Sequence, residues 1–191
     1  MTSYAVPNIA PHQISLDASA GSLTPSGSTL IRRLSDLAGC FENSKVFKAE
    51  FASSNPIVYQ VISSAVPEVP RELPQSITTI FPGSCGGELY MTKGHQHPDP
   101  QGEIYFGLEG IGGIIMFDGK EKKYVEITSG TIGYIPPGWA HRSINSGSTA
   151  YKFLAVYPGS AGHDSGWVLE YGMGLRGFSE SGKLILKDFI I

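Results

Sequence analysis

Hydrophobic and polar positions follow two regimes along the chain. Between Leu30 and Phe51, apolar residues recur as Leu30, Leu34, Leu37 and Phe41, then Val46, Phe47 and Phe51. Those spacings predict one or two short amphipathic helices broken near Gly39. Asn55-Pro56 closes the stretch, because a residue before proline is biased away from helical torsions. From Ile57 to Ile190 the pattern changes to short apolar or alternating runs punctuated by glycine and proline. They predict strands at 57–63, 76–81, 87–93, 103–108, 112–117, 123–127, 132–135, 150–157 and 183–190. Asp118-Gly119, between IIMF and KKYVEI, reads as a hairpin turn. No strand–helix–strand rhythm and no internal repeat occurs, so the expected class is all-β, a sandwich or barrel. Residues 1–28, rich in Ser, Thr, Pro and Gly, read as an extended arm with weak local order. The expected division is 1–56, arm and short helices packed on the barrel, and 57–191, the barrel itself.

Composition narrows the function classes. A length of 191 residues fits one domain plus an arm. The net charge is −3 without a long run of like charges, which excludes a nucleic-acid footprint. Two cysteines, Cys40 and Cys85, are too few for a disulfide framework or a four-cysteine zinc site. Two free thiols in a reducing cytosol are expected. The opening MTSYAVPNIAPHQ does not read as a secretion signal, and no run of about 18 apolar residues occurs. The expectation is a cytoplasmic protein with no membrane partner.

Candidate chemistry sits in two compact segments. The first is Gly94-His95-Gln96-His97, followed by Glu103 and Gly110. On a strand, residues i and i+2 share a face, so His95 and His97 can reach one point. Glu103 can return there after the Pro98-Asp99-Pro100 turn. The second runs from Gly130 through Pro136, Gly138 and His141 to Asn145, where glycines and prolines build a tight turn that delivers His141 onto a new strand. Three imidazoles and one carboxylate suit one divalent ion per subunit, iron first among Fe, Mn, Zn, Ni and Co, with open positions left for water or substrate oxygens.

These segments resemble the cupins. The family's second motif, G-x5-P-x-G-x2-H-x3-N, is matched at Gly130, Pro136, Gly138, His141 and Asn145. The first, G-x5-H-x-H-x3-4-E-x6-G, is matched at His95, His97, Glu103 and Gly110, with five residues between His97 and Glu103 and Leu89 at the leading position. The resemblance implies a double-stranded β-helix, or jelly-roll barrel.

A narrower resemblance covers most of the chain. The runs Thr78-Thr79-Ile80-Phe81-Pro82-Gly83, Met91-Thr92-Lys93-Gly94-His95, Pro136-Pro137-Gly138-Trp139-Ala140-His141-Arg142 and Tyr157-Pro158-Gly159-Ser160-Ala161-Gly162-His163-Asp164 look like the archaeal-type glucose-6-phosphate isomerases. That resemblance implies a homodimeric, metal-dependent enzyme of glycolysis and gluconeogenesis. It places metal ligands on His95, His97, Glu103 and His141, and sugar-phosphate contacts on Tyr59, Thr79, Thr92, Gly94, Tyr105 and His163. The pattern departs at Ser165, where the family carries Tyr after the His-Asp pair. Thr79, Thr92 and the Gly94 N–H are short neutral donors of the kind that ring a phosphate. Glu103 is the candidate base as well as a ligand, and His163 the group that assists ring opening or holds a hydroxyl. Two other readings use the same ligands: a metal-dependent cupin dioxygenase and a non-catalytic sugar-binding cupin.

Overall fold

The computed structural model describes residues 9–189. In chain order its elements are β1 (Ser15–Asp17), β2 (Ser22–Thr24), β3 (Ser26–Arg33), a 3-10 turn (Leu34–Leu37), α1 (Ser44–Ser53), β4 (Ile57–Ser64), β5 (Gln75–Ile80), β6 (Ser84–Cys85) and β7 (Glu88–Leu89). These are followed by β8 (Glu103–Glu109), β9 (Ile111–Phe117), β10 (Lys122–Thr128), β11 (Ile132–Ile135), β12 (Ala140–Asn145), β13 (Tyr151–Val156), α2 (Ser165–Tyr171), β14 (Leu175–Glu180) and β15 (Lys183–Asp188). A six-stranded sheet runs β11-β8-β13-β5-β4-β3, a three-stranded one β10-β9-β12, and a four-stranded one β15-β14-β7-β6. Every pairing is antiparallel, as a jelly roll requires.

Register decides what faces the barrel interior, because directly opposed residues of antiparallel strands point the same way. Thr78 opposes Phe153, and Ile80 opposes both Tyr59 and Tyr151. Phe153 stacks on Tyr105 at 4.3 Å between ring centroids. Val61, Thr78 and Phe153 therefore share the inner face with Tyr59, Ile80, Tyr105 and Tyr151. On the facing sheet, His141 opposes Met116 and Ser143 opposes Ile114. The outer face of that sheet, carrying Arg142, Ile115 and Ile144, is covered by β14 and α2; the Ile144 Cδ1 lies within 2.7 Å of where a Gly177 side chain would begin.

The N-terminal part differs from the expectation. Leu30 lies in β3, which pairs with β4 and extends the six-stranded sheet, so only Leu34–Leu37 and Ser44–Ser53 are helical. Pairing with an available sheet edge overrides the local periodicity. Residues 15–28 of the arm are largely strand, and β1–β2 forms a hairpin over β5; residues 1–8 lie outside the described residues. The strand expected at 87–93 is β7 plus an isolated bridge from Met91 to Ile144. Helix α2 and strand β14 were not foreseen. Asp164 starts α2, its Oδ1 accepting from the Gly166 N–H at 2.8 Å. Of the last expected strand, Lys183–Asp188 is formed and Ile190 lies outside the described residues.

Candidate metal centre

The segment carrying His95 and His97 is pinned on both sides. His95 N–H donates to His141 O at 3.1 Å and His141 N–H to His95 O at 2.9 Å, while Gln96 and Asp164 exchange two bonds of 2.9 Å. The Gln96 side chain adds a bond to Gly138 O at 2.7 Å. Gly94 lets this crossing happen. Its φ is +79°, and a Cβ there would meet His141 O at 3.1 Å and the Arg142 side chain at 3.2 Å. Gly138, at φ +83°, turns the Pro136-Pro137 corner so that His141 enters β12 facing inward. Asn145, the last residue of that motif, ties the far end of the strand: its amide donates to Ile80 O and Thr149 O, and its Oδ1 accepts from Gly147 N–H.

One ligand atom each from His95, His97, Glu103 and His141 falls within 4.8 Å of all the others. The five-residue turn from Pro98 to Gly102 absorbs the long spacing, since Glu103 Oε2 sits 3.2 Å from His97 Nε2 and 2.9 Å from His141 Nε2. Tautomers are fixed from behind. His97 Nδ1 is 2.7 Å from Gly162 O and His141 Nδ1 is 3.2 Å from Trp139 O. A carbonyl only accepts, so each neutral ring holds its proton on Nδ1 and turns an Nε2 lone pair to the centre. The Nε2 atoms of His95 and His141 are buried without an aligned hydrogen-bond partner. Orphaned lone pairs converging with a carboxylate are the donor set a divalent cation takes, and the residues fit one.

Electrostatics distinguish the four groups. Burial, reinforced by His141, His163 and His97, pushes the His95 pKa well below its ordinary value and keeps the ring neutral. Burial also opposes charge on His97, but the Glu103 carboxylate and the Gly162 carbonyl outweigh it and raise its pKa. Glu103 is almost fully buried, yet the His141 and His97 imidazoles beside it outweigh that and hold its carboxyl below the usual carboxylate range. Tyr105, raised well above its ordinary pKa by burial and then by Glu103, remains a protonated donor.

The candidate substrate residues divide. Tyr59 and Tyr105 face the interior with the ligands. Thr92 pairs with β12 through its own backbone, and its Oγ1 accepts from Ser143 N–H at 3.0 Å. His163 stands at the mouth, its ring 4.5 Å from that of His95, with burial lowering its pKa. Thr79 does not join them. It opposes Lys152 on the outer face, and its Oγ1 lies 2.8 Å from the side-chain position of Gly21 under the β1–β2 hairpin. Strand alternation puts Thr78 inward in its place. Sequence reasoning also missed Tyr157, whose ring meets His163 at 5.2 Å and whose hydroxyl donates to Glu68 Oε1 at 2.6 Å. Alternation from Phe153 was the available signal. Ser165 spends its hydroxyl on Gly94 O at 2.9 Å, tying α2 to the histidine segment.

Comparison with known proteins bears on the same residues. The family model described as "Glucose-6-phosphate isomerase (GPI)" matches residues 31–185. The chain belongs to this family. The glucose-6-phosphate isomerase of Thermococcus litoralis is 38% identical over 93% of this chain and 94% of its own length. That of Thermococcus kodakarensis is 36% identical over 93% and 94%. A bacterial relative with the same name, from Sinorhizobium medicae, is 31% identical over 87% of this chain and 78% of its own. Among solved structures, oxalate decarboxylase of Bacillus subtilis overlaps 52% of this chain and 26% of that one, with a TM-score of 0.42 and 19% identity. The family model spans the whole stretch that builds the centre, from β4 through α2.

Proposed function

We infer that this protein interconverts glucose 6-phosphate and fructose 6-phosphate at the centre built by His95, His97, Glu103 and His141. The observation that carries this reading is the convergence of four buried donors, with two orphaned imidazole nitrogens, in a chain of the glucose-6-phosphate isomerase family. A divalent ion held there, iron being our first choice, supplies Lewis acidity that polarises neighbouring oxygens.

The reaction moves a hydrogen between C1 and C2 of the open-chain sugar. Glu103, kept ionised, is our candidate base, accepting the C2 proton and returning it to C1 through a cis-enediol. Tyr59, Tyr105 and Tyr157 remain protonated because burial raises each pKa, so they orient hydroxyl oxygens as donors. His163, neutral near pH 7, takes the proton of the anomeric hydroxyl during ring opening and returns it to the departing ring oxygen. Thr78, Thr92 and the Gly94 N–H are our candidates for the phosphate. The aromatic walls of Phe153 and Tyr151 exclude water from the reacting carbons. We further propose a homodimer acting in the cytoplasm, where the two free buried thiols suit a reducing compartment.

The test is turnover of fructose 6-phosphate by metal-reconstituted protein, with a chelated control and free fructose beside it. Isomerisation lost on chelation and restored by metal is expected, with free fructose a poor substrate. Metal-loaded protein that turns over no sugar phosphate would sink the reading. In D₂O, deuterium entering C1 or C2 is expected for proton transfer. Light scattering should give about twice the 20.5 kDa chain mass.

A further inference from the structure

On the side of β12 away from the barrel interior, a cavity of about 120 Å³ opens between Gly39-Cys40, α2 and β14. Two guanidinium groups line it, Arg142 and Arg176, with Glu170 and Phe189 also contributing to its wall. Both arginines are more than nine-tenths buried, at 5% and 8% exposure. Arg176 is paired: Nη1 donates to Glu88 Oε1 at 2.7 Å and to Cys40 O at 2.8 Å. Its Nε is buried without a partner. Arg142 donates only to Lys93 O, through Nε at 3.3 Å and Nη2 at 2.8 Å, and forms no ion pair among the described residues.

A buried guanidinium without a counter-charge is costly, since desolvation is not offset by a neighbouring carboxylate. Glu170 on the cavity wall is exposed and makes no ion pair with either arginine among the described residues, and the buried candidates do not supply a counter-charge. Glu88 is committed to Arg176 and to the Glu42 N–H at 2.8 Å. Cys40 stays a neutral thiol, because burial pushes its pKa up. What remains is a cavity of about four water volumes, at ~30 Å³ each, with free N–H donors of a planar fork on its wall. Arginine forks match tetrahedral oxyanions in geometry as well as charge.

We infer that this cavity binds one tetrahedral oxyanion, a free phosphate or the phosphoryl end of a small metabolite, held by Arg142 and Arg176. The site is separate from the metal centre, on the opposite face of β12, and does not rest on the isomerase reading. Its occupant bears on the centre through Lys93 O, because Arg142 braces the carbonyl just before Gly94 and His95. Bound anion stabilises the folded chain by linkage, so the melting temperature rises with its concentration.

The experiment is calorimetric titration of metal-loaded protein with inorganic phosphate and, separately, glycerol 3-phosphate, with chloride holding ionic strength constant. Wild type, Arg142→Met and Glu170→Gln are compared. Arg142→Met, with metal content and circular dichroism unchanged, is expected to weaken phosphate binding about tenfold to a hundredfold. Glu170→Gln, an exposed change that leaves the fold intact, removes a nearby negative charge and is expected to tighten binding about twofold to fivefold. Binding at this cavity is the part that Glu170→Gln tightens: phosphate alone in that part assigns the free ion, and both ligands assign the phosphoryl end. No titratable binding, binding that a folded Arg142→Met leaves undiminished, or binding that Glu170→Gln leaves unchanged, overturns the inference. The Glu170 variant decides the matter even where Arg142→Met fails to fold.

Discussion

Thr78 and Thr79 are adjacent in sequence and lie on opposite faces of β5: Thr78 opposes Phe153 inside the barrel, while Thr79 opposes Lys152 beneath the N-terminal hairpin. Only the first can meet a ligand of the metal centre. Thr78→Val is therefore expected to lower kcat/KM about tenfold to a hundredfold, the loss of one hydrogen bond to a charged group. Thr79→Val should change it less than about threefold. Its hydroxyl is already buried without a partner, so the valine is expected to be neutral or slightly stabilising. Steady-state kinetics and thermal melts on the two variants check both halves, and equal kinetic losses would contradict the face assignment.

Metal retention is expected to depend on Glu103 and His141 more than on any residue outside the cluster. Glu103→Gln keeps the side chain's shape and removes its charge; His141→Ala removes one of the orphaned nitrogens. Each should lower metal affinity by more than about tenfold, with any residual activity recovered only in excess metal. Metal analysis after dialysis reads this directly. Undiminished metal content in His141→Ala would show that the four donors are not the ligand set.

Gly94→Ala combines a positive φ with a tight approach to the His141 carbonyl, a backbone atom that cannot move aside cheaply. A loss of about 1–2 kcal/mol is expected from the left-handed torsion alone. The variant should also bind metal more weakly, because the crossing it disturbs carries His95. Urea unfolding of metal-free and metal-loaded protein separates the two effects.

Glu88 and Arg176 form a buried pair at 2.7 Å, with side-chain exposures of 2% and 9%. Glu88→Gln removes the charge that Arg176 was folded against and weakens the bond to the Glu42 N–H. A destabilisation of about 3–5 kcal/mol is expected in urea unfolding. A change below about 1 kcal/mol would mean the pair is better solvated than its burial indicates.

The two cysteines are expected to resist alkylation in the folded protein. Burial raises the Cys40 pKa, and burial together with the Glu50 carboxylate pushes that of Cys85 up to about 12. At pH 8 neither carries appreciable thiolate. Iodoacetamide should label neither until denaturant is added, and labelling of either in folded protein would count against this burial.

How much of this was legible before folding depends on the range of the interaction. The HxH spacing and the Gly-Pro-rich turn before His141 act within a few residues, so the sequence itself determined the four candidate ligands, and alternation determined that His95 and His97 share a face. Most β strands between Ile57 and Val156 follow from the same local rules. What the tertiary structure decided is non-local. Leu30 became part of a strand because β4 offered an unpaired edge, which outweighs a weak helical period. Thr78 rather than Thr79 faces the centre because of its pairing with β13, and a register is set by the whole sheet; one residue of error turns every side chain to the other side. Helix α2 depends on Asp164 being held against Gln96, far away in sequence. The opposed arginines at positions 142 and 176 share a cavity only because β14 packs across β12, a closeness that no local spacing could express.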